Sequence, residues 1–94
     1  MELKVRAVAG TLESSDIYVV IEPGVSGIEL DLKSTVEDQY GDDIRKVVNE
    51  TLNEMGIKDA KVILDDKGAL DVVIKSRLQT AVMRAAQSKE FMWE

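Results

Sequence analysis

The spacing of the apolar residues changes at Ser34, from every second residue before it to every third or fourth residue after it. Alternation of apolar and polar residues predicts β-strands with one buried face. The stripe that follows, from about 36 to 55, predicts a long amphipathic helix. A chain of 94 residues is long enough for one layered core of this kind, so we expect a single domain over residues 1–94.

Four runs have the composition of strands, at residues 3–8, 17–21, 28–32 and 60–64. The first three follow one another closely and predict an antiparallel meander. In the first run, Leu3, Val5 and Ala7 alternate with charged residues and are predicted to face the core. Gly10 is predicted to end this run at a turn or bulge, because glycine adopts backbone angles that other residues resist.

Local signals predict both ends of the long helix. Ser34 followed by Glu37 has the form of a capping box at the amino-terminal end. Gly56 is predicted to take the left-handed position after the last turn, with Ile57 folding back onto Leu52. The apolar stripe that should face the core consists of Val36, Tyr40, Ile44, Val47, Val48, Leu52 and Met55, with the Tyr40 hydroxyl at the rim.

Residues 69–87 are predicted to form a second helix, and a hairpin into a short fifth strand is the alternative because Leu70, Val72 and Ile74 also alternate. Residues 88–94 are predicted to form a flexible tail that docks on a partner chain through its large apolar residues. We therefore expect an α+β fold: a small two-layer sandwich with a mostly antiparallel or mixed sheet of four or five strands and two helices on one face.

Composition excludes several classes of function. The chain has no cysteine and no histidine, which excludes disulfides, thiolate metal sites and a serine–histidine mechanism. Its formal net charge of −6 disfavours nucleic acid and favours basic protein partners. We see no signal peptide and no apolar run long enough to span a membrane, so we expect a cytoplasmic protein.

The segment 11–16, between the first two predicted strands, is the candidate functional loop. It offers two adjacent hydroxyls, Ser14 and Ser15, flanked by Glu13 and Asp16. These residue types are also ordinary turn formers, since their side chains bond nearby backbone groups. Pattern alone therefore leaves a functional loop and a structural turn both open.

Other polar residues have structural interpretations that we favour over functional ones. Three acidic groups are considered as metal ligands. Asp65–Asp66 is predicted to form a turn, Asp42–Asp43 to lie at a helix start and Asp31 to lie on a solvated strand face. We expect no metal site. Arg77 and Arg84 are predicted to lie on the exposed face of the second helix, with phosphate pairing as the alternative.

Four blocks in order resemble one known family, the citrate lyase acyl carrier proteins, or gamma chains. They are Ala-Gly-Thr-Leu-Glu-Ser-Ser-Asp at 9–16, Tyr-Gly-Asp-Asp-Ile-Arg at 40–45, Asp-Asp-Lys-Gly-Ala-Leu-Asp at 65–71 and Ile-Lys-Ser-Arg-Leu at 74–78. Lys75 and Ser76 in the last block depart mildly from the family's pattern. The resemblance covers nearly the whole chain.

The resemblance implies a non-catalytic carrier whose serine in the Glu-Ser-x-Asp motif, Ser14, bears a 2′-(5″-phosphoribosyl)-3′-dephospho-coenzyme A arm through a phosphodiester. Glu13, Ser15 and Asp16 are then the flanking motif, and the family often has glycine at the position of Ser15. Acetyl and citryl thioesters would be handled on this arm by the citrate lyase alpha and beta chains, while a prosthetic-group transferase and an acetate-activating ligase would complete the partner set.

A carrier of this kind needs neither cysteine nor histidine, because its thiol belongs to the arm. Unlike four-helix carriers, this chain places its serine before a predicted strand, so we expect a different fold. The alternatives are the acyl carrier of a malonate decarboxylase, which uses a similar arm, and a ferredoxin-like regulatory or binding module.

Overall fold

The computed structural model describes residues 2–87, apart from the side chains of residues 37 and 38. Four strands and two helices occur in these residues: β1 (Ala7–Gly10), β2 (Ile17–Pro23), β3 (Ile28–Ser34), α1 (Glu37–Glu54), β4 (Ala60–Asp66) and α2 (Asp71–Ala85). The α+β class and the second helix are confirmed. The fifth-strand alternative is wrong, since residues 71–75 are the first turn of α2. The prediction for residues 88–94 lies outside the described residues.

The strands form a single mixed sheet in the order β1-β2-β4-β3. Strand β2 pairs antiparallel with both β1 and β4, whereas β3 pairs parallel with β4. The predicted three-strand meander is therefore wrong, because β4 lies between β2 and β3. The crossover through α1 permits this parallel pairing, and Ala60, Val62 and Leu64 of β4, all almost completely buried, suit a central position better than the half-buried Ile28 and Leu30 of β3.

Strand β1 starts later than predicted, at Ala7. The backbone N–H groups of Lys4 and Val5 both donate to the carbonyl of Ala85, at 2.9 and 3.0 Å, so this segment is bonded to the end of α2 rather than to β2. Leu3 is buried as predicted, but Val5 is 40% exposed, so its predicted position in the core is wrong.

Both helices pack on the same face of the sheet, as predicted, and contribute to one apolar core. Its largest fully buried aliphatic side chains are Ile17, Ile21, Val19, Val48, Leu52, Val62, Leu64, Ile74, Leu78 and Val82. The opposite face of the sheet is covered by neither helix, and Ile63 on that face is 37% exposed. No helix within residues 2–87 combines the length and apolar character needed to cross a membrane.

The two ends of α1 differ in how well the sequence predicted them. At the carboxyl end, Gly56 has a φ of 73° and Ile57 donates its N–H to the Leu52 carbonyl at 2.9 Å, as predicted for a left-handed cap. The capping box is wrong, because the residue at the amino-terminal cap is Val36, which makes no side-chain cap. Ser34 belongs to β3, and its hydroxyl accepts from the Val36 N–H at 3.0 Å.

Tyr40 was predicted to lie in the core, but it is 52% exposed. The buried side of the first two turns of α1 passes instead through Gly41 and Ile44 and continues to Val48. Gly41 is buried, whereas Tyr40 beside it lies at the edge of a surface groove.

Candidate functional site

The β1–β2 connection, residues 11–16, is a compact turn with two unusual backbone positions. Gly10 has a φ of 89°, and a Cβ atom built there would lie 1.8 Å from the Ile17 carbonyl oxygen. Only glycine fits so close to another strand. Ser15 has a φ of 66°, in the left-handed region that favours glycine, which agrees with the glycine that the resemblance places at this position in many relatives. The turn closes with the Asp16 N–H donating to the Glu13 carbonyl at 3.1 Å.

The carboxylate of Asp16 organises the side chains of this loop. It accepts from the Thr11 hydroxyl at 2.7 Å and from its neighbouring backbone N–H, that of Ile17, at 2.7 Å. Arg77 of α2 donates to both of its oxygens, through Nε at 3.0 Å and Nη2 at 2.9 Å. A planar guanidinium facing a carboxylate in this way gives a strong and directional pair.

These bonds also set the charge state of the pair. The hydrogen bonds from Arg77, and then that from Thr11, lower the pKa of Asp16 from an ordinary 3.8 to about 2. The same contact raises the pKa of Arg77 above its usual value. Asp16 is therefore ionised and fully engaged at neutral pH.

The backbone of the loop is fixed to the β4–α2 connection as well. Ser15 donates its N–H to the Lys67 carbonyl at 2.8 Å, and Lys67 donates its N–H to the Asp16 carbonyl at 2.9 Å. The β4–α2 connection and α2, both distant from the loop in sequence, thus hold it through backbone and side-chain contacts respectively.

Ser14 lies at the exposed tip of this fixed turn. Its hydroxyl makes no hydrogen bond within the part of the chain that the structure describes, whereas Thr11 and Asp16 on either side of it are engaged. Glu13 is also exposed. The loop therefore presents two adjacent exposed hydroxyls, those of Ser14 and Ser15, on a backbone that neighbouring elements hold in place.

A second carboxylate, that of Asp66, lies at the end of β4 and is completely buried. It accepts from the Ser34 hydroxyl at 2.8 Å and from the N–H groups of Gly68 and Ala69 at 3.2 and 3.0 Å. Asp66 thereby joins the ends of β3 and β4 to the start of α2. The prediction that Asp65 and Asp66 form a turn is wrong, since both belong to β4.

Three of the four sequence blocks of the resemblance meet at this loop. The block at 65–71 bonds the loop through Lys67, and the block at 74–78 bonds it through Arg77. The block at 40–45 lies farther away, where Tyr40 and Ile44 face residues 68–71 across a groove of about 590 Å³.

Sequence reasoning missed the roles of Arg77 and Asp66. Arg84 is exposed, as favoured, and donates to the Val8 carbonyl at 2.8 Å. Arg77 is only partly exposed, and the solvated-face interpretation missed that its guanidinium bonds Asp16. Period-two alternation in β4 continues through Val62, Leu64 and Asp66, and this signal places Asp66 on the buried face. No signal in the sequence pairs Arg77 with Asp16. Within residues 2–87 no group of three or more carboxylates is arranged to hold a metal ion.

Comparison with known proteins identifies the family. Residues 4–85 match the profile of a family of acyl carrier proteins described as the malonate decarboxylase delta subunit (MdcD). The citrate lyase acyl carrier protein of Klebsiella pneumoniae is 50% identical, covering 99% of this chain and 97% of that protein. The one from Streptococcus mutans is 54% identical, covering 100% and 93%. The chain belongs to the citrate lyase acyl carrier protein family.

The fold has a counterpart among solved structures. A chain in the crystal structure of a Pseudomonas malonate decarboxylase hetero-tetramer in complex with malonate superposes with a TM-score of 0.76, covering 90% of this chain and 88% of that one, at 20% sequence identity. At that identity the likeness concerns the fold alone. The sequence relatives show that this chain is an acyl carrier subunit. The structural likeness concerns its α+β sandwich.

Proposed function

We propose that Ser14 is the attachment point of a 2′-(5″-phosphoribosyl)-3′-dephospho-coenzyme A arm, and that the chain carries acetyl and citryl groups in citrate cleavage. The supporting observation is the exposed Ser14 hydroxyl, which makes no hydrogen bond among the described residues and lies on a turn whose backbone is bonded on both sides of it. Bound there, the arm supplies the thiol that this cysteine-free chain lacks. Attachment to a fixed turn keeps the origin of the arm constant, and tethering then replaces a bimolecular encounter with a high local concentration.

The loop residues fit this role without taking part in the chemistry. Asp16 accepts from three groups and has a pKa of about 2, so it is a poor base for the Ser14 hydroxyl at neutral pH. We assign the base that activates Ser14 to the transferase that attaches the arm. Asp16 and Arg77 act as positioning residues, which hold the turn so that Ser14 points outward.

The partners we propose are the citrate lyase alpha and beta chains, the prosthetic-group transferase and the acetate-activating ligase. Because Arg77 neutralises Asp16, the negative charge beside Ser14 comes mainly from Glu13, which is exposed. A basic patch on the partners would be attracted by the net charge of −6 and oriented locally by Glu13. A cytoplasmic location stays a prediction.

The test is the intact mass of the chain coexpressed with the attachment enzymes. We expect a single adduct that is lost in Ser14→Ala and kept in Ser15→Ala, the adjacent exposed hydroxyl. An adduct that survives Ser14→Ala would disprove the assignment of the site.

The match to the malonate decarboxylase family profile favours one alternative, a carrier of malonyl and acetyl groups in decarboxylation. Loaded carrier mixed with the alpha and beta chains of a citrate lyase distinguishes the two. We expect cleavage of citrate to be restored, and failure of a correctly loaded carrier in this assay would favour the decarboxylase.

A further inference from the structure

One large groove, outside the attachment loop itself, lies between the first half of α1 and the β4–α2 connection. Its apolar lining comes from Val36, Tyr40, Ile44, Val47, Ala69 and Leu70, and its charged rim from Asp43, Lys46, Glu50 and Asp71. Leu70 is 71% exposed and Tyr40 is 52% exposed, so large apolar surfaces face solvent at its edge. Exposed apolar surface of this kind marks a binding site more often than chance.

We propose, on the basis of the attachment at Ser14 proposed above, that this groove receives the thioester-bearing end of the arm carried on Ser14. Between handovers, the groove would shelter the acyl thioester from water.

The groove is continuous with the attachment loop. Ser15 is bonded to Lys67 at 2.8 Å, and the next residue, Gly68, already lines the groove. The path from Ser14 to this edge runs along the chain to Ser15, across the hydrogen bond to Lys67, and along the chain to Gly68. Its length is on the order of 13 Å between Cα atoms. A flexible arm that begins at Ser14 therefore reaches the groove without any change in the fold.

The size and chemistry of the groove suit a small molecule better than a protein. A volume of about 590 Å³ lies within the usual range of ligand pockets, which are mostly apolar with a few polar groups that fix orientation. A pantetheine-like chain alternates short alkyl segments with amides, so it matches an apolar floor whose rim carries both charges. The uncovered face of the sheet is more polar, since charged Asp31 and Lys33 lie on it beside Ile63.

Two other occupants are less favoured by the structure. Residues 88–94 follow the far end of α2, a helix of 15 residues that is about 22 Å long, whereas the groove lies at its start. A second copy of the chain would bring one net charge of −6 against another, which opposes association.

The absence of cysteine makes a direct test possible, because a thiol-reactive nitroxide can bind only at the arm. In full-length chain whose mass shows one adduct, we expect the nitroxide to broaden the amide resonances of residues 40–47 and 68–71 strongly. Residues 31 and 33, on the uncovered sheet face, should be broadened at least twofold less. Chemical reduction of the nitroxide should restore all signals.

A matched pair of variants separates the groove from general proximity. Leu70 lines the groove, whereas Val25, on the β2–β3 connection and 94% exposed, does not. Leu70→Ser should reduce broadening at residues 40–47 about twofold, and serine at this N-cap position preserves the start of α2. Val25→Ser should leave the pattern unchanged.

Each contrary result has a distinct meaning. Equal broadening on both faces, with the adduct present, overturns the groove while leaving attachment at Ser14 intact. Broadening of an isotope-labelled, unmodified chain mixed with nitroxide-loaded chain would assign the groove to a second copy. Groove resonances that respond to truncation after Gln87 but not to the nitroxide would assign it to the tail, and a chain without adduct disproves the attachment itself.

Discussion

Two aspartates lie at the same end of the sheet, Asp16 just before β2 and Asp66 at the end of β4. Their carboxylates are stabilised in opposite ways. The side chain of Asp16 is 14% exposed and faces Arg77, which neutralises its charge. Asp66 is completely buried and is held by one hydroxyl and two backbone N–H groups, with no cation bonded to it among the described residues. The first arrangement positions a surface turn, and the second joins three elements of the core.

The two carboxylates differ in the environment of the hydrogen-bond donors that lose their acceptor when the carboxylate is removed. Without Asp66, the Ser34 hydroxyl and the N–H groups of Gly68 and Ala69 lose their acceptor in partly buried surroundings. Without Asp16, the Arg77 and Thr11 side chains turn to solvent. Asp66 should therefore dominate stability and Asp16 should dominate presentation of Ser14.

The same substitution at both positions tests this contrast and should give the largest effect. Asp66→Asn replaces one accepting oxygen with an amide NH2 group, which would then face another donor. We therefore expect the free energy of unfolding to fall by about 3 kcal/mol. Asp16→Asn should cost only about 1 kcal/mol, since its partners are hydrated at the surface. Urea unfolding followed by circular dichroism measures both.

Equal losses at the two positions would contradict the contrast. Attachment of the arm provides the complementary measurement, at a temperature where both variants are folded. Asp16→Asn should slow the appearance of the adduct, whereas folded Asp66→Asn should load close to the normal rate.

Arg77 sharpens the comparison on the side of the loop. Arg77→Ala should slow attachment of the arm about tenfold and reduce stability by about 1 kcal/mol, because both bonds to Asp16 are lost. Arg84→Ala is the matched control on the same helix, since Arg84 bonds only the Val8 carbonyl. A similar loss of loading in both variants would indicate a general effect of positive charge on α2.

Acid should produce the smallest effect. The pKa of Asp16 is about 2 in the folded chain and has its ordinary value of 3.8 in the unfolded chain. Between these two pH values the unfolded state therefore binds more protons than the folded state. The stabilisation from Asp16 is complete above about pH 4 and is lost as the pH falls toward 2, amounting to about 1 kcal/mol for this partly exposed pair.

Unfolding measured at pH 4 and at pH 2 in the intact chain and in Arg77→Ala isolates this contribution. The intact chain should lose more stability over this interval, because Arg77 is the largest cause of the lowered pKa of Asp16 and the variant keeps only the smaller contributions of Thr11 and Ile17. Identical slopes would show that the pair contributes nothing.

Local patterns predicted the local features of this fold. The period-two runs located β2, β3 and β4, and Gly56 with Ile57 marked the end of α1, because each signal depends on neighbours in sequence. The order of strands depends instead on which strand buries more apolar surface after the chain has crossed through α1. That competition involves residues 30 positions apart or more, and local periodicity does not contain it.

The candidate site divides along the same line. Ser14 and its neighbours were found through the resemblance, and the left-handed backbone of Ser15 gives the physical reason why glycine suits that position. The pairing of Asp16 with Arg77 spans 61 positions and has no local signature. Tyr40 shows the opposite kind of error, in which a local pattern predicted a buried residue. Its spacing fits the core stripe, but the neighbouring Gly41 is buried instead.

The central position of β4 has a consequence for the order of events during biosynthesis. Strands β1 to β3 leave the ribosome first, yet β2 and β3 have no shared partner until Ala60–Asp66 inserts between them. The turn that carries Ser14 acquires its last contact only when Arg77 has been synthesised. On the proposed attachment at Ser14, an enzyme that reads the shape of this turn would load only chains whose synthesis has passed α2.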